Sequence, residues 1–291
     1  MAIPVDPFQQ PIPAAFQKDP EARSYFEFLA KWCHDMWVRS GGGTGVIPEY
    51  LIEVAKGNVP GNSIVGVTGA NFDVDVANDE DIWGPGGTLV YPTAEEAWEV
   101  VSDSASDAAA GSGAQQVLVQ YLDGDYKAQS ETVTLSGLTP VPLLAVDSFR
   151  HQQSNVIAVG SGGENAGNIS IRRASDSLVR SQIGFDAITG GENISNTSHY
   201  TVPANNRAFL VGVYPSVGKN KDIVIRMKTT NSDDGVFITR FGIGLYEQTV
   251  PAALTSPTEE IAPKSDIKFV GETANNNSSV SVIYQLLLTE L

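Results

Sequence analysis

Gln116-Val117-Leu118-Val119-Gln120-Tyr121, then Asp123-Gly124, then Ser130-Glu131-Thr132-Val133-Thr134-Leu135: this stretch decides the fold. Both runs place alternate residues on one face, the period of a strand half-buried against a core. The Asp-Gly pair between them is a hairpin signal, because tight hairpin turns need the positive φ that glycine adopts without strain. Further strands are expected over 149–159, 168–172 and 178–183. After a Gly, Asn and Ser-rich loop at 190–198, six more follow at 200–202, 207–213, 222–228, 235–245, 267–270 and 280–288. Short strands at this spacing predict a mainly β chain of antiparallel sandwich or jelly-roll-like domains. The expected division is a β domain over 95–189 and a second over 190–291, with 94–101 read as a short helix or amphipathic turn.

Upstream the pattern changes. Residues 1–18 carry Pro4, Pro7, Pro11 and Pro13, so they read as an extended arm without a core of its own. Asp19-Pro20-Glu21 then supplies a cap, a first-turn proline and a dipole-compatible acid, which opens a helix. No Gly or Pro interrupts it until Gly41-Gly42-Gly43, so one helix is expected over 19–41. Tyr25, Leu29, Trp32 and Met36 follow the 4-3-4 spacing of a coiled-coil seam, with Phe26 and Trp37 beside it. Two readings stand: the stripe packs on the chain's own β domain, or it anchors and oligomerises the protein. Residues 42–94 read as a connecting segment, with strands at 63–67 and 72–76 and one helical turn or strand near 50–55.

Composition closes several routes. The chain has 291 residues, of which 18% are charged, and its net charge of -16 repels phosphate backbones, so no nucleic-acid partner is expected. A single Cys, Cys33, rules out an intrachain disulfide and thiolate metal clusters. No apolar run reaches the roughly 20 residues that cross a bilayer, so no membrane partner is expected. The first residues also lack the basic and apolar regions of a signal peptide. His34, His151 and His199 have no ligand-spaced partners, so no transition metal and no cofactor are expected. Asp73, Asp75, Asp79 and Asp81 offer the hard oxygens calcium prefers, but the run lacks the EF-hand glycine and closing Glu. Alternation instead points Asp73 and Asp75 to one solvated face. The glycine loops at 41–45 and 160–163 lack the Lys-Ser/Thr ending of a phosphate cradle and read as turns. No catalytic constellation emerges, and no enzyme is expected.

Two groups of motifs carry a resemblance. The run 101–117, leading into Tyr121-Leu122-Asp123-Gly124-Asp125-Tyr126 and Ser130-Glu131-Thr132-Val133-Thr134-Leu135-Ser136-Gly137, resembles a β module of virion structural proteins of tailed bacteriophages. Ala166-Gly167-Asn168-Ile169-Ser170-Ile171 and Tyr200-Thr201-Val202-Pro203-Ala204-Asn205-Asn206-Arg207-Ala208 are similar to its continuation, although Asn205-Asn206 stands where a glycine is expected. The segment from Phe26-Glu27-Phe28-Leu29 to Trp37-Val38-Arg39-Ser40-Gly41-Gly42-Gly43 resembles the short helix that anchors or trimerises some phage fibre and tail proteins. The likeness spans 20–43 and 95–210, leaves 44–95 unmatched, and brings no active-site residue.

The resemblance implies a virion location and a short fibre or spike on head or tail. Its interface would be Tyr25, Phe26, Leu29, Trp32, Met36 and Trp37, and its partners would be copies of itself, a trimer favoured, and other virion proteins. The alternatives are a capsid decoration or cement protein bridging capsomers and a host-glycan-binding module using aromatics such as Tyr200, Tyr214 or Tyr246. A polysaccharide-degrading enzyme ranks last.

Overall fold

The computed structural model describes residues 50–76, 79–218, 221–231, 235–246, 260–274 and 276–291. The chain divides into two compact units, Met1–Pro60 and Gly61–Leu291. In the first, the described part is helix α1 (Tyr50–Ala55), where the Glu53 carboxylate accepts from Lys56 Nζ at 2.8 Å and Asn58 Nδ2 at 2.6 Å. The six residues expected on the 19–41 helix stripe (Tyr25, Phe26, Leu29, Trp32, Met36 and Trp37) lie outside the described residues.

The second unit is mainly antiparallel β. Its strands are β1 (Asn62–Val74), β2 (Glu80–Asp81), β3 (Trp98–Ser102), β4 (Ala114–Asp123), β5 (Ala128–Thr134), β6 (Val141–Pro142), β7 (Ser148–Val159) and β8 (Ile169–Arg173). Then come β9 (Val179–Asp186), β10 (Gly190–Ser195), β11 (Tyr200–Thr201), β12 (Asn206–Val217), β13 (Asp222–Thr229), β14 (Ile238–Tyr246), β15 (Asp266–Thr273) and β16 (Ser278–Glu290).

Eight strands form one sheet in the order β5-β4-β7-β10-β9-β8-β3-β6. It rolls around a first core in which Trp98, Val100, Ile169, Ile171 and Ile183 meet Val117, Val119, Tyr121 and Val133. The roll is closed by a bridge from Glu96 to Ser148 and by the Glu131 carboxylate, which accepts from the Leu144 N–H at 2.7 Å. A three-stranded sheet, β1-β16-β12, faces a second sheet, β11-β15-β13-β14, with β2 alongside β15. Between them lies a second core. Alternation builds it: Ile223, Ile225 and Met227 from β13 face Val280, Val282, Tyr284 and Leu286 from β16. The Phe269 and Tyr284 rings pack 4.8 Å apart.

Three expectations need correction. The strands read at 63–67 and 72–76 are one strand, β1, paired with β16 from Asn62↔Thr289 to Val74↔Ser278. The Gly69 that interrupts the pattern is needed there, because a Cβ would stand 2.5 Å from Ser198 N and 2.6 Å from Ile82 O. The stretch 94–101, read as helix or turn, ends in strand β3, because Trp98 and Val100 gain more by pairing with β8 and entering the first core. The loop read at 190–198 contains strand β10, which pairs with β9 and β7 despite its glycines.

The deciding hairpin is present, with β4 pairing β5 from Gln116↔Thr134 to Leu122↔Ala128. Its turn differs from the two-residue form. Tyr126 takes the left-handed conformation at φ 61, and Asp123 Oδ1 accepts from the backbone N–H groups of Asp125 and Lys127 at 3.0 and 2.9 Å.

Candidate functional site

Alternation leaves each strand a second face, and on β7 and β15 that face carries charge. Ile267 and Phe269 enter the sandwich core, so Asp266 and Lys268 point the other way. Arg150 of β7 meets them. Its guanidinium donates to both oxygens of Asp266, at 3.0 and 3.2 Å, and to Pro92 O at 2.9 Å. It also lies 4.0 Å from the Phe149 ring centroid and 5.2 Å from that of Tyr91. Thr201 Oγ1 donates to Asp266 at 2.6 Å.

Two more ion pairs share this layer. Arg180 donates to Glu96 at 2.5 and 2.7 Å and to Val90 O, and Trp98 Nε1 donates to the same carboxylate at 2.8 Å. Lys268 Nζ stands 2.8 Å from Asp81 Oδ1 and 4.6 Å from the Phe237 ring, while the Leu89 N–H donates to Asp81 Oδ2 at 2.7 Å.

Burial works to raise the Asp81 carboxyl, but His199 and Lys268 beside it prevail and hold it down to about 2. Burial drives His151 down to about 3, with His199 adding to the effect. Burial, then the charges of Asp266 and Asp81, pushes the Tyr91 hydroxyl well above its ordinary value. A cavity of about 20 Å³ among Tyr91, Arg150, His151, Arg180 and His199 has room for one water at most. Charges matched this closely inside a protein fix how two elements register against each other. The Arg150–Asp266 pair therefore acts as a keyed joint between the two β cores, while Arg180–Glu96 and Lys268–Asp81 each stay within one of them, and sequence reading did not find the joint.

Two of the four aspartates in the acidic run face protein cations. Asp79 faces Lys228 Nζ at 2.6 Å and Arg226 at 3.4 Å, and Asp81 faces Lys268. Asp75 accepts from the Asn277 N–H at 3.2 Å, and Asp73 is exposed. Among the described residues no three His, Cys, Asp or Glu side chains gather to hold a metal. Of the aromatics expected at loop tips, Tyr200 is instead buried in the sandwich core, because its strand pairs with β15, whose Ile267 and Phe269 enter the same core. Tyr214 is 37% exposed on β12, and the Tyr246 side chain lies outside the described residues.

Among the described residues two uncharged surfaces stand out. One is a groove of about 340 Å³ beside β1, lined by Ile64–Thr68 on one side and by Gln120, Gln129, Gln152 and Gln153 on the other. None of its lining residues carries a charge. The other is the segment 135–146 around β6, twelve residues without a charged side chain. Within it Leu138, Val146 and Leu144 are 62%, 72% and 90% exposed. The signal for this second surface was available in the sequence as a charge-free run in an acidic chain. Among the described residues no helix is long and apolar enough to cross a membrane.

No protein-family model matches the chain, and no curated relative does. Among solved structures, the chain is similar to that of the infectious bursal disease virus Gx strain, at 12% identity over 79% of this chain and 76% of that one, TM-score 0.18. The Gt strain structure gives 11% identity over 79% and 75%, TM-score 0.14. A mutant VP2 protein of the same virus, in derived T=1 particles, gives 12% over 85% and 80%, TM-score 0.14. Scores this low carry no argument about fold or role.

Proposed function

We propose that this chain is a non-enzymatic structural protein of a virion, a short fibre or spike. In this reading it assembles with copies of itself and attaches to head or tail through its arm, residues 1–18, and its helix, residues 19–41, with the β region outward. One observation carries the reading: Leu138, Leu144 and Val146 stand exposed in a twelve-residue stretch without charge, on a chain of net charge -16. Covering such side chains is worth about 1.5–3 kcal/mol each, and a protein that always meets neighbours leaves them for the contact. The buried Arg150–Asp266 pair supports the same reading, since it ties the eight-stranded sheet to the sheet of the second core.

The test is the solution mass of the full chain by light scattering at micromolar concentration. A trimer or larger assembly that Leu144→Asp shifts toward monomer supports the fibre. A wild-type monomer overturns it and favours a decoration protein that bridges capsomers and associates only on the particle.

A further inference from the structure

β1 is an edge strand: among the described residues β16 is the strand paired with it, and the sheet ends there. Along Ile64–Thr68 its other edge forms one wall of the 340 Å³ groove. Alternate N–H and C=O groups on that edge are a template for one more strand. The opposite wall is built of amides. Gln152 is held rigid by Thr201, donating to its carbonyl at 2.6 Å and accepting from its N–H at 3.1 Å. Gln129 donates to Asp123 at 2.8 Å. A groove with a backbone edge on one side, amide side chains on the other and no charge selects an uncharged peptide in extended form.

The N-terminal arm of the chain is such a segment. Between Asp6 and Lys18, the residues Pro7-Phe8-Gln9-Gln10-Pro11-Ile12-Pro13-Ala14-Ala15-Phe16-Gln17 include no charged side chain. Their prolines, at 7, 11 and 13, are all odd-numbered. In an extended chain successive residues direct their N–H and C=O to opposite edges, so these prolines fall on one edge together. The even edge, with Phe8, Gln10, Ile12, Ala14 and Phe16, keeps every donor and acceptor. Such a segment pairs on one side and blocks further strands on the other, which is where proline is tolerated in sheets.

We infer that the groove beside β1 receives the arm of a second copy, with residues 8–12 added to β1 along Ile64–Thr68 as a strand through their even-numbered edge. This rests on the self-assembling reading above.

The test compares two prolines one residue apart in the full chain. Gln10→Pro removes a donor from the pairing edge, whereas Gln9→Pro adds proline to the edge already blocked. Gln120→Arg places a charge in the groove. Self-association is followed by light scattering, with a synthetic peptide of residues 7–17 as competitor. The expected result is at least tenfold weaker association for Gln10→Pro and Gln120→Arg, less than threefold change for Gln9→Pro, and dissociation of the wild type by excess peptide. An oligomer that responds equally to both prolines and ignores Gln120→Arg overturns this inference and leaves the fibre reading standing. A monomeric wild type that binds the peptide means the arm does not hold copies together, which overturns the exchange. A monomeric wild type that ignores the peptide overturns the groove assignment as well.

Discussion

His151 should make the protein lose stability as pH falls below 6.5, well before its carboxylates protonate. Its ring is 6.4 Å from that of Trp98, its Nε2 lies 2.9 Å from Ser154 Oγ, and burial holds it down to about 3 against an ordinary 6.5. The sign follows from linkage. Above pH 6.5 the imidazole is neutral in both states and contributes nothing. Below 6.5 the unfolded chain binds a proton that the native site refuses, so the native state loses about 1.4 kcal/mol per pH unit until the folded value is reached. Between pH 7.5 and pH 5.0 the loss is about 2 kcal/mol, and any folded value below about 4 gives the same figure. Asp81, held down to about 2, loses its contribution only at lower pH, as the medium passes from its unfolded value near 3.9 down through the folded one. Urea unfolding followed by tryptophan fluorescence, at both pH values and fixed protein concentration, measures the difference. His151→Gln should flatten the dependence by about 2 kcal/mol relative to wild type. Equal losses in the two proteins would refute the reasoning and move the acid sensitivity elsewhere.

Arg150→Met leaves the Asp266 carboxylate buried without its cation and should cost about 3–5 kcal/mol in chemical denaturation. The double variant with Asp266→Leu should recover most of that loss. Gly69→Ala drives a methyl into the Ser198 N–H to Ile82 O hydrogen bond, and since both neighbours are backbone it should destabilise by about 2 kcal/mol or more. Leu144→Asp, on a side chain 90% exposed, should change the unfolding free energy by less than about 0.5 kcal/mol while weakening self-association, read by light scattering.

The sequence disclosed those parts of the fold that local pattern governs. The β4–β5 hairpin was legible because alternation flanks a turn whose Asp123 closes it through its own carboxylate. β3 was misread because Ala94-Glu95-Glu96-Ala97 are good helix formers, and only pairing with β8 reveals Trp98 and Val100 as strand. β10 was misread because Gly190 and Gly191 have poor strand propensity. A Cβ at Gly191 would stand 2.3 Å from Asn165 O, a requirement set by a residue 26 positions away in the chain. The joint between the cores was invisible for the same reason, since Arg150 and Asp266 lie 116 residues apart and neither sits in a motif. The groove could not be read either, because its wall collects glutamines from three strands.

The distribution of charge yields one more expectation. Copies that each carry -16 repel one another, and the two surfaces suited to contact, the β1 groove and the segment 135–146, carry no charge to offset that repulsion. Contacts made there gain from apolar burial and backbone pairing, terms that sodium chloride does not screen, whereas the opposing repulsion is screened. Raising salt from 0.1 M to 1 M shortens the Debye length from about 10 Å to about 3 Å. Self-association should therefore tighten with salt, and sedimentation equilibrium at the two concentrations should show a lower dissociation constant at the higher. An assembly held by ionic contacts would behave oppositely. Loosening with salt would place the interface on charged surface and exclude both neutral surfaces as the main contact.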